Sequence, residues 1–354
     1  MALDIFTEST LKKILEKVQL QNAYLTAIAG ATPGSVTIDS LESIQEIVAS
    51  GLASKIFAIG DQIIVPYTAT NGTSYEMPWN IVHFGDVELE DGSTVPGMFI
   101  QSHYATIESI QFDATENEAA TEETAADGYY YYGYDGSTYT LLDLATGDSI
   151  PYDEYTTVYH SAIKDSTCNI VRYGYNRWSH SAQRQWLNSS AEKGEWWSAQ
   201  HLGDVAPSQL STYKGFMAGF EDDFLNVLGK VKVTTALNTV TDSDIGTQED
   251  TYDTFFLPSV EQMYGAPQLS GVEGDYFEYW QEATGLSAPS NDVNSGRITY
   301  ALDAQTTAQV VRLRSAYRGY SYYTWDVYTA GYIYYYSAGG TFRCAPACVI
   351  CKSE

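Results

Sequence analysis

The sequence predicts an α+β protein with mostly antiparallel strands and few helices. Three observations carry that expectation. Apolar residues recur at helical spacing near the start of the chain and only briefly afterwards. From Ile56 onward, short β-rich segments alternate with turn residues. Apolar residues make up 44% of the 354, enough to bury a proper core.

The first element is a helix over residues 8–28. Leu11, Ile14, Val18, Leu25 and Ile28 fall on heptad a and d positions, with Gln21 at the remaining d. Thr7 is the N-cap, Gly30 the stop, and Pro33 lies beyond. Two roles stay open for the apolar stripe: helping to hold a homotrimer or dimer, or packing on its own domain. A second short helix is expected over 39–50, from Ile38, Leu41, Ile44, Ile47 and Val48. Strands follow at Ile63–Val65, Ile81–Phe84 and Met98–Ile100. Residues 114–127 are acidic, rich in Ala and Thr, and read as a solvated loop. Tyr129–Tyr132 and Tyr139–Leu142 flank Asp135-Gly136 and form a hairpin signal. A helix is expected at Ser179–Leu187, continuing to Glu195-Trp196-Trp197, and another at 221–229. Val231–Leu237 and Phe255–Pro258 read as strands.

Net charge is −27, from 18 Lys+Arg against 45 Asp+Glu. Such a surface repels phosphate backbones and anionic lipid, so general nucleic-acid binding is not expected. No apolar run is long enough to span a bilayer, so membrane insertion is not expected. Met1–Phe6 shows no basic region followed by an apolar stretch, so no signal peptide is expected. Cys344, Cys348 and Cys351 crowd the end of the chain while Cys168 stands apart. They fit either a metal or redox centre or small buried hydrophobes on a final core strand. The five His residues (His83, His103, His160, His180, His201) are scattered, and no nucleophile, phosphate-binding or dinucleotide motif occurs. No catalytic residue, metal or cofactor is expected. The acidic runs Glu221-Asp222-Asp223 and Asp242-Ser243-Asp244 are the remaining calcium candidates.

One number is abnormal: 30 Tyr against 12 Phe and 7 Trp. Nine of the tyrosines lie within residues 317–336. Trp325, Val327 and Ile333 fall at odd positions, whereas Asp326, Tyr328, Tyr332 and Tyr334 fall at even ones. Alternate strand residues face opposite sides. Thr329-Ala330-Gly331 supplies a three-residue turn with glycine at the left-handed position. The expected hairpin buries Trp325, Val327 and Ile333 and stands Tyr328, Tyr332 and Tyr334 in solvent. Each ring can bury about 150–250 Å², so a few of them cover one partner's share of a standard interface. Ser321, Ser337, Gly319, Gly339 and Gly340 keep the tyrosines company, a composition used in antibody paratopes. Arg312, Arg314, Arg318 and Arg343 against Asp326 alone give a local +3, and Arg with Tyr is hot-spot chemistry.

The run Arg314-Ser315-Ala316-Tyr317-Arg318 through Trp325-Asp326-Val327, then Arg343–Ile350, resembles the C-terminal variable region of diversity-generating retroelement target proteins. Upstream, Asn176–Ser179, Arg184–Asn188, Ala236–Asp242 and Phe255–Ser259 are similar to the scaffold of bacterial and phage members. The likeness covers residues 56–351. In such systems an error-prone copy turns template AAC codons into NNC codons, which never encode Lys, Glu, Gln, Met or Trp. The positions expected to be diversified are Tyr317, Gly319, Tyr320, Tyr322, Tyr323, Asp326, Tyr328, Ala330, Tyr332, Tyr334, Tyr335, Tyr336, Ser337, Gly339, Gly340 and Phe342, all reachable by NNC. Arg318, Ser321, Thr324, Trp325, Val327, Thr329, Gly331, Ile333, Ala338 and Thr341 form the constant frame.

The resemblance implies a C-type lectin-like fold over 56–354, with a hairpin insertion near 112–160 and a variable region near 314–343. Residues 1–55 become an attachment or oligomerisation segment. It implies a hypervariable protein recognising host-surface protein or glycan ligands, as the trimeric phage major tropism determinant does. The setting is a virion or bacterial surface, with assembly in the cytoplasm; an adhesin is the alternative role. Formylglycine-generating enzymes share the fold, which would cast Cys344 and Cys348 as an oxidative pair.

Overall fold

A computed structural model describes residues 8–28, 30, 38, 40–115, 129–134, 139–143, 149–151, 173–200, 204–243 and 245–352. Helix α1 spans Glu8–Ile28 and α2 spans Leu41–Ala49, as the apolar periodicity predicts. Ser40 caps α2 by accepting a hydrogen bond from the Ser43 N–H at 3.3 Å. The short α3, Ala53–Ile56, follows. Ala23 on α1 is buried, and α1 packs on α2 and α3. Ile44, Ile47, Val48 and Ile56 join the main core. Gln45 donates to the Cys351 carbonyl at 2.7 Å. Residues 41–56 are therefore part of the main body rather than of a separate N-terminal segment.

The early strands are β1 (Gln62–Thr68), β2 (Ser74–Glu88), β3 (Thr94–Ser102) and β4 (Ile110–Gln111). β5 (Tyr129–Tyr134), β6 (Tyr139–Asp143) and β7 (Ser149–Pro151) follow. β5 and β6 pair antiparallel from Tyr129↔Asp143 to Tyr134↔Tyr139, the expected hairpin; its Asp135-Gly136 turn lies outside the described residues. Phe112 and Ala114 are buried, so the main body extends beyond the expected start of the insertion at residue 112.

Helix α4 spans Ala182–Leu187 and α5 spans Asp222–Leu225. Glu195-Trp196-Trp197 form a turn and bend rather than helix. Trp196 is held by its indole N–H donating to the Tyr213 carbonyl at 2.8 Å. α5 is shorter than the expected 221–229 because Leu228 bridges to Ile350. Next come β8 (Val231–Ala236), β9 (Gln248–Asp253), β10 (Phe255–Phe256) and α6 (Glu278–Thr284). The last strands are β11 (Thr299–Ala301), β12 (Ala304–Gln309), β13 (Val311–Ala316), β14 (Tyr323–Val327), β15 (Ile333–Ser337), β16 (Thr341–Cys344) and β17 (Ala347–Ile350).

Two five-stranded sheets organise the body. One runs β1-β2-β3-β17-β10 and is antiparallel throughout. The other runs β15-β14-β13-β16-β4, with one parallel pairing between β13 and β16. Among the described residues the molecule is mixed α+β with mostly antiparallel pairing, as expected. Trp79, Phe220, Phe224 and Phe255 pack ring to ring in the core, with centroids 5.2–6.3 Å apart. Every residue of β17 is buried, the pattern of a central strand. No described helix is long and apolar enough to cross a membrane.

Candidate functional site

The hairpin β14–β15 lies at one edge of the second sheet. Its register sets Trp325 opposite Tyr335, Asp326 opposite Tyr334 and Val327 opposite Ile333. Trp325, Val327 and Ile333 are buried, as the alternation predicts. Gly331 closes the turn at φ +78°, and a Cβ there would sit 1.9 Å from the Asn294 carbonyl oxygen. Both the left-handed backbone and the close approach require glycine.

The tyrosine rings form one connected array. Tyr317 packs on Tyr320, Tyr323, Trp325 and Tyr335, with centroids 4.5–6.4 Å apart. Tyr334 stacks on Tyr335 at 4.3 Å and meets Tyr328 and Tyr332 at 5.9 and 6.2 Å. Tyr328 and Tyr332 stack on each other at 4.8 Å. Directly paired residues share a sheet face. Tyr335 therefore lies on the Trp325 face and Tyr334 on the Asp326 face. The array wraps around the edge strand instead of occupying the single face that strand alternation suggests.

The sixteen predicted positions divide by burial. Gly319, Ala330, Tyr334 and Tyr336 are exposed, the two tyrosines at 46% each. Tyr317, Tyr320, Tyr323, Tyr328, Tyr332, Tyr335, Ser337, Gly340 and Phe342 are half-buried. Tyr328 and Tyr332 thus shade one another rather than standing fully in solvent. Tyr317 and Tyr335 partly cover the buried Trp325, so they serve the frame as well as the surface.

Three positions differ from the expectation of a displayed residue. Tyr322 is buried, against Tyr323 and Tyr173. A Cβ on Gly339 would meet the Thr115 methyl at 2.8 Å and the Tyr173 carbonyl oxygen at 3.0 Å, so a side chain there displaces its neighbours and the position is confined rather than displayed. Asp326 is 0% exposed and pairs with the equally buried Arg312 at 3.3 Å. Burial pushes its carboxyl up to about 7 against the opposing pull of Arg312.

The expected arginine hot spot is also corrected. Arg312 and Arg314 are buried in hydrogen-bonded interior positions. Arg314 donates to the Leu257 carbonyl at 2.8 Å, to Gln262 at 2.5 Å and to the Glu273 carbonyl at 2.5 Å. Burial lowers its guanidinium to about 10. Arg343 pairs with Asp303 at 2.6 Å. Arg318 remains at the surface, half-buried, donating to the Thr247 carbonyl at 3.1 Å. The strand period placed apolar side chains well, but it carried no signal for guanidinium groups turned inward onto carbonyls.

The cysteines of the final strand region are interior. Cys344, Cys348 and Cys351 are free and buried. Burial raises the Cys344 thiol to about 12 and the Cys351 thiol to about 11. Thiolate chemistry at neutral pH needs the opposite shift, so Cys344 and Cys348 fit buried hydrophobes better than an oxidative pair. Cys168 lies outside the described residues, as do His160, His201 and Asp244. Among the described residues no group of three or more His, Cys, Asp or Glu is placed to hold a metal ion. Asp242 accepts from Tyr175, from Asn238 at 3.0 Å and from Thr241 at 3.2 Å, so its oxygens serve the fold. Glu221, Asp222 and Asp223 are solvent-exposed at the start of α5.

Fold and site together define an α+β protein that carries an aromatic surface on an edge hairpin. Residues 153–351, more than half of the chain, match the family described as a domain of unknown function, DUF6273, and the protein belongs to that family. No curated protein and no solved structure matches the chain.

Proposed function

We propose that this is a hypervariable ligand-binding protein diversified by a retroelement, with a C-type lectin-like scaffold and a tyrosine-rich recognition surface at its C-terminal hairpin. One observation carries the reading. A continuous array of tyrosine rings, partly open to solvent, packs through Tyr317 and Tyr335 on Trp325, and Trp325 is buried together with Val327 and Ile333, all three assigned to the constant frame. Stiff aromatic side chains with hydroxyl groups offer large contact area at low entropic cost. Burial and the neighbouring Asp326 raise the Tyr328 hydroxyl to about 12, so it remains a proton donor at any ordinary pH.

The ligand class is a protein or glycan on a cell surface, and the setting a virion or cell-surface display protein. A bacterial adhesin would use the same face. The DNA flanking the gene tests the class. A second copy of the stretch encoding residues 314–350, differing where it carries adenine, should accompany a reverse transcriptase gene. A locus with neither would overturn the retroelement reading. Ligand binding is tested separately on protein and glycan arrays. Tyr320→Ser/Tyr334→Ser/Tyr336→Ser should abolish any signal that the wild-type chain gives, and a signal that survives the triple change places binding elsewhere.

A further inference from the structure

A recognition surface that changes from copy to copy needs a backbone that does not depend on its changing side chains. Two loops frame the tyrosine array, residues 317–323 and 336–340. Their carbonyls are gripped from outside. The Asn176 side-chain amide donates to the carbonyls of Tyr320 at 2.6 Å, Tyr323 at 2.8 Å and Tyr317 at 3.3 Å. Its backbone N–H donates to the Ser321 carbonyl at 2.9 Å. Asn176 is fully buried, and its amide orientation is fixed because its oxygen accepts from the Asn238 amide at 3.0 Å. Asn238 is held in turn by Asp242 at 3.0 Å. Thr239 adds its N–H and hydroxyl to the Arg318 carbonyl at 2.8 and 2.9 Å.

The second loop has a parallel arrangement. The Arg312 guanidinium donates to the carbonyls of Ser337 at 2.7 Å, Gly340 at 2.9 Å and Tyr336 at 3.3 Å, and to the Thr324 hydroxyl. A planar fork of donors reaches several carbonyls at once, which a lysine ammonium on the same stem cannot reproduce. Gln111 holds the Gly339 carbonyl at 2.8 Å. Each of these bonds ends on main chain or on the constant Thr324; the one variable side chain to which Arg312 also donates is the fully buried Asp326, at 3.3 Å, which belongs to the frame rather than to the display. Among the described residues, no hydrogen bond runs from the hydroxyls of Tyr320, Tyr323 or Tyr336 to another part of the protein.

We propose that Asn176 and Arg312 are positioning residues that fix the course of the two recognition loops through their carbonyls, leaving the side chains at Tyr320, Tyr323 and Tyr336 free to change. This rests on the ligand-binding reading above and deepens it: the arginine that composition suggests for ligand contact holds the backbone instead. Substitution at the three tyrosines alters what is displayed but not where it is displayed.

Hydrogen–deuterium exchange on the full chain tests the assignment. The reporters are the amides of Tyr317, Arg318 and Tyr320 in the first loop and Ala338, Gly339 and Gly340 in the second; each donates a hydrogen bond. Tyr320→Ser/Tyr323→Ser/Tyr336→Ser should leave their exchange within about threefold of wild type, since no reporter bond involves a phenol. Asn176→Ala should speed first-loop exchange by at least about tenfold, because it strands several carbonyls, while β2 and β3 stay protected. Thr239→Ala, at an exposed position, removes one bond and should give a smaller rise confined to the first loop, which serves if Asn176→Ala does not fold. Loss of loop protection in the triple serine variant would overturn the proposal. So would full protection retained in a folded Asn176→Ala, or, failing that variant, in Thr239→Ala. Exchange is measured without ligand, so a failed array or genomic test sinks the binding reading and leaves this result standing.

Discussion

Two neighbouring residues of β15 sit on opposite sides of the division between frame and display, and single substitutions separate them. Ile333 is 2% exposed and lies opposite Val327, which is fully buried. Its terminal methyl lies 2.5 Å from where a Cβ on Gly265 would be, so it fills the space above that glycine. Ile333→Ala removes this packing and leaves a cavity, for an expected cost of about 2–5 kcal/mol. Tyr334 is 46% exposed and is held by stacking on Tyr335 at 4.3 Å and by edge contacts with Tyr328 and Tyr332. Tyr334→Ser loses an aromatic pair worth about 0.5–1.5 kcal/mol when well packed, and partial exposure brings the expected cost to about 1 kcal/mol or less. Urea unfolding followed by tryptophan fluorescence gives both midpoints, and an unchanged m value shows that the compared states are alike. The expected gap is at least about 1–2 kcal/mol, with Ile333→Ala the weaker protein. Equal costs at the two positions would refute the argument, because the tyrosine would then be part of the core.

Three further outcomes follow from the structure. Burial raises the Asp242 carboxyl from 3.8 to about 6, so the folded state holds its proton more tightly than the unfolded chain does. Its stabilising contribution is full below pH 3.8 and is lost as pH rises through 6; Asp242→Asn should flatten stability between pH 4 and 7 relative to wild type by up to about 3 kcal/mol, and parallel pH profiles would contradict this. The thiols of Cys344, Cys348 and Cys351 should resist a thiol reagent at pH 7.5 in the native protein and react fully in denaturant; rapid native modification of any of the three would place it at the surface. Helix α1 leaves Leu11, Ile14, Leu15 and Val18 between 44% and 55% exposed along one stripe, so the chain should run as an oligomer in light scattering. Leu11→Glu/Val18→Glu should run as a single chain, and a wild-type monomer at tens of micromolar would remove self-association through this helix.

The sequence by itself determined the first two helices, the C-terminal hairpin and the hairpin's inward-facing apolar set. Period-3.6 spacing marked α1 and α2, and period-2 spacing with a glycine turn marked β14–β15 together with the burial of Trp325, Val327 and Ile333. These signals are legible because they are written in residues close along the chain, and burial of apolar surface obeys the same alternation wherever the strand packs. The clustering of tyrosine with glycine and serine likewise pointed to the hairpin as the candidate site.

Tertiary structure alone decided the fate of the charged and crowded positions. Arg312 and Asp326 look like surface chemistry in the sequence, yet both are fully buried, because Arg312 meets carbonyls of residues 336–340 brought to it by the sheet. Asn176 reaches loop 317–323 across more than 140 positions of chain, and Gly339 is confined by residues 115 and 173. A polar group can be interior only where distant partners complete its hydrogen bonds. Those partners are set by how the sheets assemble, a relation that no local pattern of residues encodes.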